Sequence, residues 1–116
     1  MNEYIKQYPD TNWYFEYSPE SFSTTEMDYA IEVVNSVLET WKGHIDTKPI
    51  INFPATIECS MPNVFADQIQ YVAENIVNRD NMIISIHSHN DRGTGVATSE
   101  MSILAGADRI EGALFG

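Results

Sequence analysis

Met82-Ile83-Ile84-Ser85-Ile86-His87-Ser88-His89-Asn90-Asp91 is the stretch on which the fold turns. Its first half, MIISI, is apolar on both alternating faces. That pattern suits a parallel strand covered on both sides rather than a half-exposed antiparallel one. Its second half sets polar, ionisable residues directly behind the strand. In parallel α/β folds the carboxyl ends of the strands share one rim, and that rim carries the chemistry.

Working upstream, Ile50 to Phe53 reads as a second strand, and Trp13 to Tyr17 (WYFEY) as a first, aromatic one. Between them, Ser23-Thr24-Thr25-Glu26 has the form of a capping box. The helix behind it carries Met27, Ala30, Ile31, Val34, Val37, Leu38 and Trp41 on one stripe, with Gly43 as a stop signal. Ser60 and Pro62 open the next helix, whose apolar face is Val64, Phe65, Ile69, Val72 and Ile76. Downstream, Gly93-Thr94-Gly95 leads into a shorter helix ending near Gly106, and Ile110 to Phe115 reads as a fourth strand.

The order is βαβαβαβ, an α/β fold with parallel strands joined by crossovers. Such units build a (β/α)8 TIM barrel or an open doubly wound sheet, and no GxGxxG or Walker loop favours the nucleotide-binding versions. A full barrel takes about 250 residues. The chain has 116 and runs out straight after a strand, so residues 1–116 are expected to be one fragment of a single barrel domain. A partial barrel leaves sheet edges uncovered and is expected to self-associate.

Seventeen acidic against six basic residues give a net charge of -11, which argues against nucleic acid as a partner. No apolar run approaches a membrane span, and the start, MNEYIKQYPD, lacks a signal-peptide core, so no membrane partner and a cytoplasmic location are expected. The single cysteine, Cys59, excludes an internal disulfide and reads as a small buried hydrophobe.

Chemically able residues follow each of the first three strands: Ser18-Pro19-Glu20, Thr56-Ile57-Glu58 and His87 to Asp91. Positions i and i+2 of a strand face the same way, about 6.6 Å apart at Cα. His87 and His89 can therefore close on one metal ion, with Asn90 and Asp91 orienting the rings or a bound water. The bland alternative is two half-exposed histidines at a strand end, and the position on a barrel rim favours the metal pair. Glu20 competes with a role as a loop or cap acid, and Ser18 and Thr56 with local backbone caps. Arg92 is a phosphate or carboxylate binder or else a surface partner of Asp91. His44 reads as a surface residue.

The run from His87 to Ala97 (HSHNDRGTGVA), then Leu104 to Gly112 and Leu114-Phe115-Gly116, closely resembles the 2-isopropylmalate synthase family. Phe15 to Ser21, Phe53 to Glu58 and Pro62 to Asp67 fit it in order and spacing, so the likeness runs from about Asn12 onward. Ser88 stands where that family more usually has proline. The resemblance implies roughly the fourth to seventh strands of a (β/α)8 barrel. It implies that His87 and His89 ligate a divalent metal ion (Zn, Mn or Mg), that Thr56 and Ser18 bind substrate, and that Glu20 lines the catalytic site. The implied reaction condenses acetyl-CoA with 2-oxoisovalerate, the committed step of leucine synthesis. A homodimer is expected of the full-length protein, and no activity of the fragment alone. The family's third metal ligand, an aspartate beside an arginine on the first strand, has no counterpart here. Homocitrate or citramalate synthases, an acyl-CoA lyase on the same barrel, and a remnant without function are the alternatives.

Overall fold

In the computed structural model, which describes residues 2–115, the chain alternates strands and helices as its patterning predicts. A short helix α1 (Asn2–Gln7) precedes strand β1 (Glu16–Tyr17), helix α2 (Met27–Trp41), strand β2 (Ile50–Ala55) and helix α3 (Pro62–Asn75). Strand β3 (Ile83–Ser88), helix α4 (Gly95–Leu104) and strand β4 (Arg109–Glu111) complete it. The sheet order is β1-β2-β3-β4, every pairing parallel, with Ile50 opposite Ile83 and Ser85 opposite Arg109. This is the α/β architecture expected of part of a (β/α)8 barrel.

One face of the sheet lies under the helices. Ile51, Phe53 and Ala55 of β2 and Ile84 and Ile86 of β3 join Ala30 and Val34 of α2 and Phe65, Ile69 and Val72 of α3 in one buried cluster. Phe22 completes an aromatic knot, its ring 4.6 Å from Phe53 and 5.9 Å from Phe65 between centroids. All three rings are essentially inaccessible to solvent, and burial contributes roughly 1.5–3 kcal/mol each.

The opposite face, which alternation along the strands gives to Ile50, Asn52 and Pro54 of β2 and to Ile83, Ser85 and His87 of β3, mixes apolar and polar side chains. Asn52 Nδ2 donates to Ser18 Oγ at 3.1 Å, and the Ser85 hydroxyl donates to Glu111 at 2.8 Å. Arg109, on β4, reaches Glu16, on β1, at 3.2 Å and also pairs with Glu111. One guanidinium thus ties the first strand to the last across the face that a closed barrel would enclose.

Several local expectations are corrected. The capping box does not form: Phe22–Thr24 is a 3-10 turn, Glu26 caps α2 without a side-chain bond, and Ser23 Oγ lies 3.0 Å from Cys59 Sγ. Cys59 is exposed, not buried, because the turn around it projects from the strand end. The first strand is confined to Glu16–Tyr17, whereas β2 runs on to Ala55 and β3 to Ser88. Leu114 and Phe115 are 89% and 95% exposed and lie beyond β4, in a turn rather than a strand. Val64 is exposed while Phe65, Ile69, Val72 and Ile76 are buried, so the α3 stripe is one position narrower than expected. The chain leaves α2 at Lys42, whose backbone is extended (φ -57°, ψ 124°), and Gly43, at φ +77°, follows in the tight turn that bonds the His44 amide back to Trp41 O at 3.0 Å.

Candidate active-site rim

Because all four strands run parallel, the residues after β1, β2 and β3 emerge along one edge of the sheet. The register fixes the relative heights: Pro54 of β2 and Glu111 of β4 flank His87. His87 is the fifth residue of β3, and His89 lies just beyond its end. The two half-buried imidazoles stand 5.5 Å apart between centroids, their planes at 83°. Ser88, between them, turns to the helix side, where its hydroxyl meets Ser99 of α4 at 2.8 Å. The i, i+2 geometry that directs both rings to one side is therefore present.

His89 is held from the neighbouring strand end. The Ile57 amide donates to its Nδ1 at 3.0 Å, and Asp91 Oδ2 lies 3.7 Å from the same nitrogen. A neutral imidazole that accepts at Nδ1 carries its proton at Nε2. Ile57 donates from an unusual backbone: it and Glu58 are both left-handed, at φ +50° and +47°. A β-branched residue in that region is strained, and strain of this kind concentrates at functional sites.

Glu58 is only 3% exposed, and its carboxylate is filled by the β3–α4 loop. It accepts from the Arg92 amide, from the Thr94 amide at 3.2 Å and from the Thr94 hydroxyl at 2.5 Å. The Thr94 hydroxyl is the largest influence on its pKa and lowers it. Burial pushes the other way, while the two amides and the Arg92 charge lower it further, leaving the carboxyl below its ordinary value. The Arg92 guanidinium donates to the carbonyls of Glu58 and Ser60, both at 3.2 Å, rather than pairing with Asp91. Asn90 Oδ1 accepts from the Gly95 amide at 3.0 Å, so it braces the start of α4 instead of a metal ligand. A Cβ on Gly95 would sit 2.7 Å from His89 O, so only glycine allows α4 to begin this close to the strand end.

The other expected site residues are less closely assembled. Thr56 adjoins Ile57 in the turn after β2, and its Oγ1 is buried without a partner. Ser18 accepts from Asn52, whose own Oδ1 is likewise buried and unpartnered. Glu20 is exposed, and among the described residues it makes no hydrogen bond or ion pair. Asn52 was not singled out by sequence reasoning, and Glu58, though counted among the polar residues behind the second strand, was given no role. A polar residue inside the otherwise apolar β2 was the available signal for the first. Glu111 also faces the rim: burial works to raise its carboxyl, but hydrogen bonds from Ser85 and Arg109 and the Arg109 charge outweigh it and hold it below the usual range.

As a metal centre the rim supplies one coherent pair. Two imidazole nitrogens suit zinc or another first-row transition ion better than a hard, oxygen-preferring one. Among the described residues, no group of three or more His, Cys, Asp and Glu side chains is arranged to hold a metal ion. The pair by itself supplies two donors.

Comparison with known proteins shows the family. A relative from Acetoanaerobium sticklandii, named 2-isopropylmalate synthase, is 55% identical over 116 residues, all of this chain and 20% of its own length. Relatives of the same name from Pseudomonas fluorescens and Pseudomonas entomophila are 56% and 54% identical over 114 residues. The chain thus spans 20% of the length of these relatives, and the resemblance read from its motifs holds over the whole chain. The family model described as HMGL-like matches residues 1–116, and the chain belongs to the HMGL-like family.

Proposed function

We propose that this chain forms the metal-binding quarter of a 2-isopropylmalate synthase site, in a protein that condenses acetyl-CoA with 2-oxoisovalerate. The observation that supports this best is the pair of imidazoles, His87 and His89, on one side of the β3 end. They would hold two positions of a divalent ion, Zn, Mn or Mg, as the family generally uses. Such an ion, when bound, supplies Lewis-acid polarisation of a keto oxygen.

The chain's own groups then bind and orient. Thr56 Oγ1, buried and lacking a partner, donates to an oxygen of the 2-oxo acid. Ser18, steadied by Asn52, offers its hydroxyl beside it. Glu20 is the carboxylate lining the place where the acetyl group approaches. In the reaction a proton leaves the acetyl methyl carbon, the carbanion equivalent bonds to the keto carbon as its C=O π bond opens, the keto oxygen takes up a proton to become a hydroxyl, and water cleaves the thioester to release CoA. The 116-residue chain alone is expected to release no CoA, because two imidazoles do not complete the ion's coordination.

A segment exchange tests this reading. Residues 1–116 would replace the matching fifth of the A. sticklandii relative. The hybrid should release CoA from acetyl-CoA with 2-oxoisovalerate, and more slowly with pyruvate or 2-oxoglutarate. A folded hybrid that prefers either of the latter two, or is inert with all three, would overturn the assignment.

A further inference from the structure

We propose that Glu58 is a positioning residue for His89, acting through the left-handed pair Ile57-Glu58 as a clasp between two strand ends. The clasp has two arms. One is the Ile57 amide, which reaches His89 Nδ1 at 3.0 Å. The other is the Glu58 carboxylate, which gathers the Arg92 amide and the Thr94 amide and hydroxyl. The loop so gathered begins at His89 and Asn90 and ends at Gly95, where α4 starts. Both ends of the His89 environment, the ring and the backbone leaving it, are therefore anchored to residues 57 and 58.

The arrangement is costly enough to call for a reason. Two consecutive non-glycine residues adopt positive φ, and a carboxylate is buried to 3% exposure. Ordinary turns avoid both. Relaxing either residue to negative φ would redirect the chain beyond it and carry the Glu58 carboxylate away from the loop amides. Arg92 reinforces the clasp from outside by bonding the carbonyls of Glu58 and Ser60. The consequence for catalysis rests on reading His89 as a metal ligand, which requires the Ile57 amide to let go of Nδ1, because the clasped ring carries its proton at Nε2 and has no free lone pair; the positioning itself does not.

Glu58→Gln keeps the size of the side chain but replaces one acceptor oxygen by a donor. Whichever way the amide turns, an N–H then faces the Arg92 or Thr94 amide, and that part of the loop is released. The measurement is nitrogen-15 NMR of the histidine rings in the 116-residue chain at about pH 8, where an ordinary imidazole is neutral. In the parent chain His89 should be chiefly the Nε2–H tautomer, and the Ile57 amide should exchange slowly. In Glu58→Gln the His89 signals should move toward a mixture of tautomers, and Ile57 exchange should rise by about tenfold, while His44 stays unmoved. Thr94→Val, which removes only the hydroxyl donor, should move the same signals by less and carries the test if Glu58→Gln fails to fold. His89 signals unchanged in the folded variants would overturn the proposal.

Zinc(II) added to the same samples separates this proposal from the functional reading. If Glu58→Gln moves His89 but neither the His87 nor the His89 ring responds to zinc in the parent chain, the positioning stands and the ligand assignment falls. If both rings take zinc and Glu58→Gln leaves His89 unmoved, the positioning falls and the ligand assignment stands.

Discussion

His87→Ala, made in the hybrid synthase described above, is expected to lower kcat/KM by about a thousandfold, equivalent to about 4 kcal/mol of transition-state stabilisation. The size follows from what the imidazole is asked to do. His87 sits inside β3, where its neighbours on the helix side, Ile84 and Ile86, are packed into the core and cannot shift to substitute for it. Removing it leaves a lone imidazole on this strand end, and the polarisation of the keto oxygen goes with the ion. His44→Ala, altered in the connection between α2 and β2, serves as the control and should keep the parent rate. Far-ultraviolet circular dichroism checks that the folded state survives. A loss of less than about tenfold with the fold intact would mean that His87 holds no ion in the transition state.

The second large effect concerns the fold itself. Phe22→Ala should cost about 3–5 kcal/mol, a large share of the 5–15 kcal/mol or so that typically separates folded from unfolded domains. Phe22 lies in the 3-10 turn before α2 and touches Phe53 of β2 and Phe65 of α3 at once. It therefore seals the junction of three elements, and a methyl group in its place leaves a cavity that none of them can collapse to fill. The midpoint of urea unfolding of the chain, parent against variant, reads the difference. A change below about 1 kcal/mol would show that the aromatic knot is not the centre of the core.

Much of this architecture could be read from residue order. The stripe from Met27 to Trp41, the doubly apolar Met82 to Ile86 and the histidines behind it required only local patterning, and the helices α2 to α4 and strands β2 and β3 stand close to where that patterning put them, while the outer strands are shorter. The two rings do share a side, as an i, i+2 pair must. What escaped reading was long-range. Arg109 meets Glu16 across 93 positions of chain, and Glu58 meets Thr94 across 36. No periodicity announces such pairs. The capping box failed for a related reason: the Ser23 hydroxyl is occupied by Cys59, a residue from another unit of the fold. Left-handed Ile57 could not be anticipated either, since isoleucine is a residue that local preference would place almost anywhere else. Of the site, the strand-end residues were legible, Glu58 among them, whereas its hold on the loop at Thr94 and the part played by Asn52 were not.

The claim on which the account depends is that His87 and His89 grip one cation together. Zinc(II) titrated into the nitrogen-15-labelled chain tests it most directly, with all three histidine rings followed at once. His87 and His89 should shift along a single common binding curve, weakly because only two donors are present, while His44 does not move. Separate curves for the two rings, or a response at His44 alone, would contradict it.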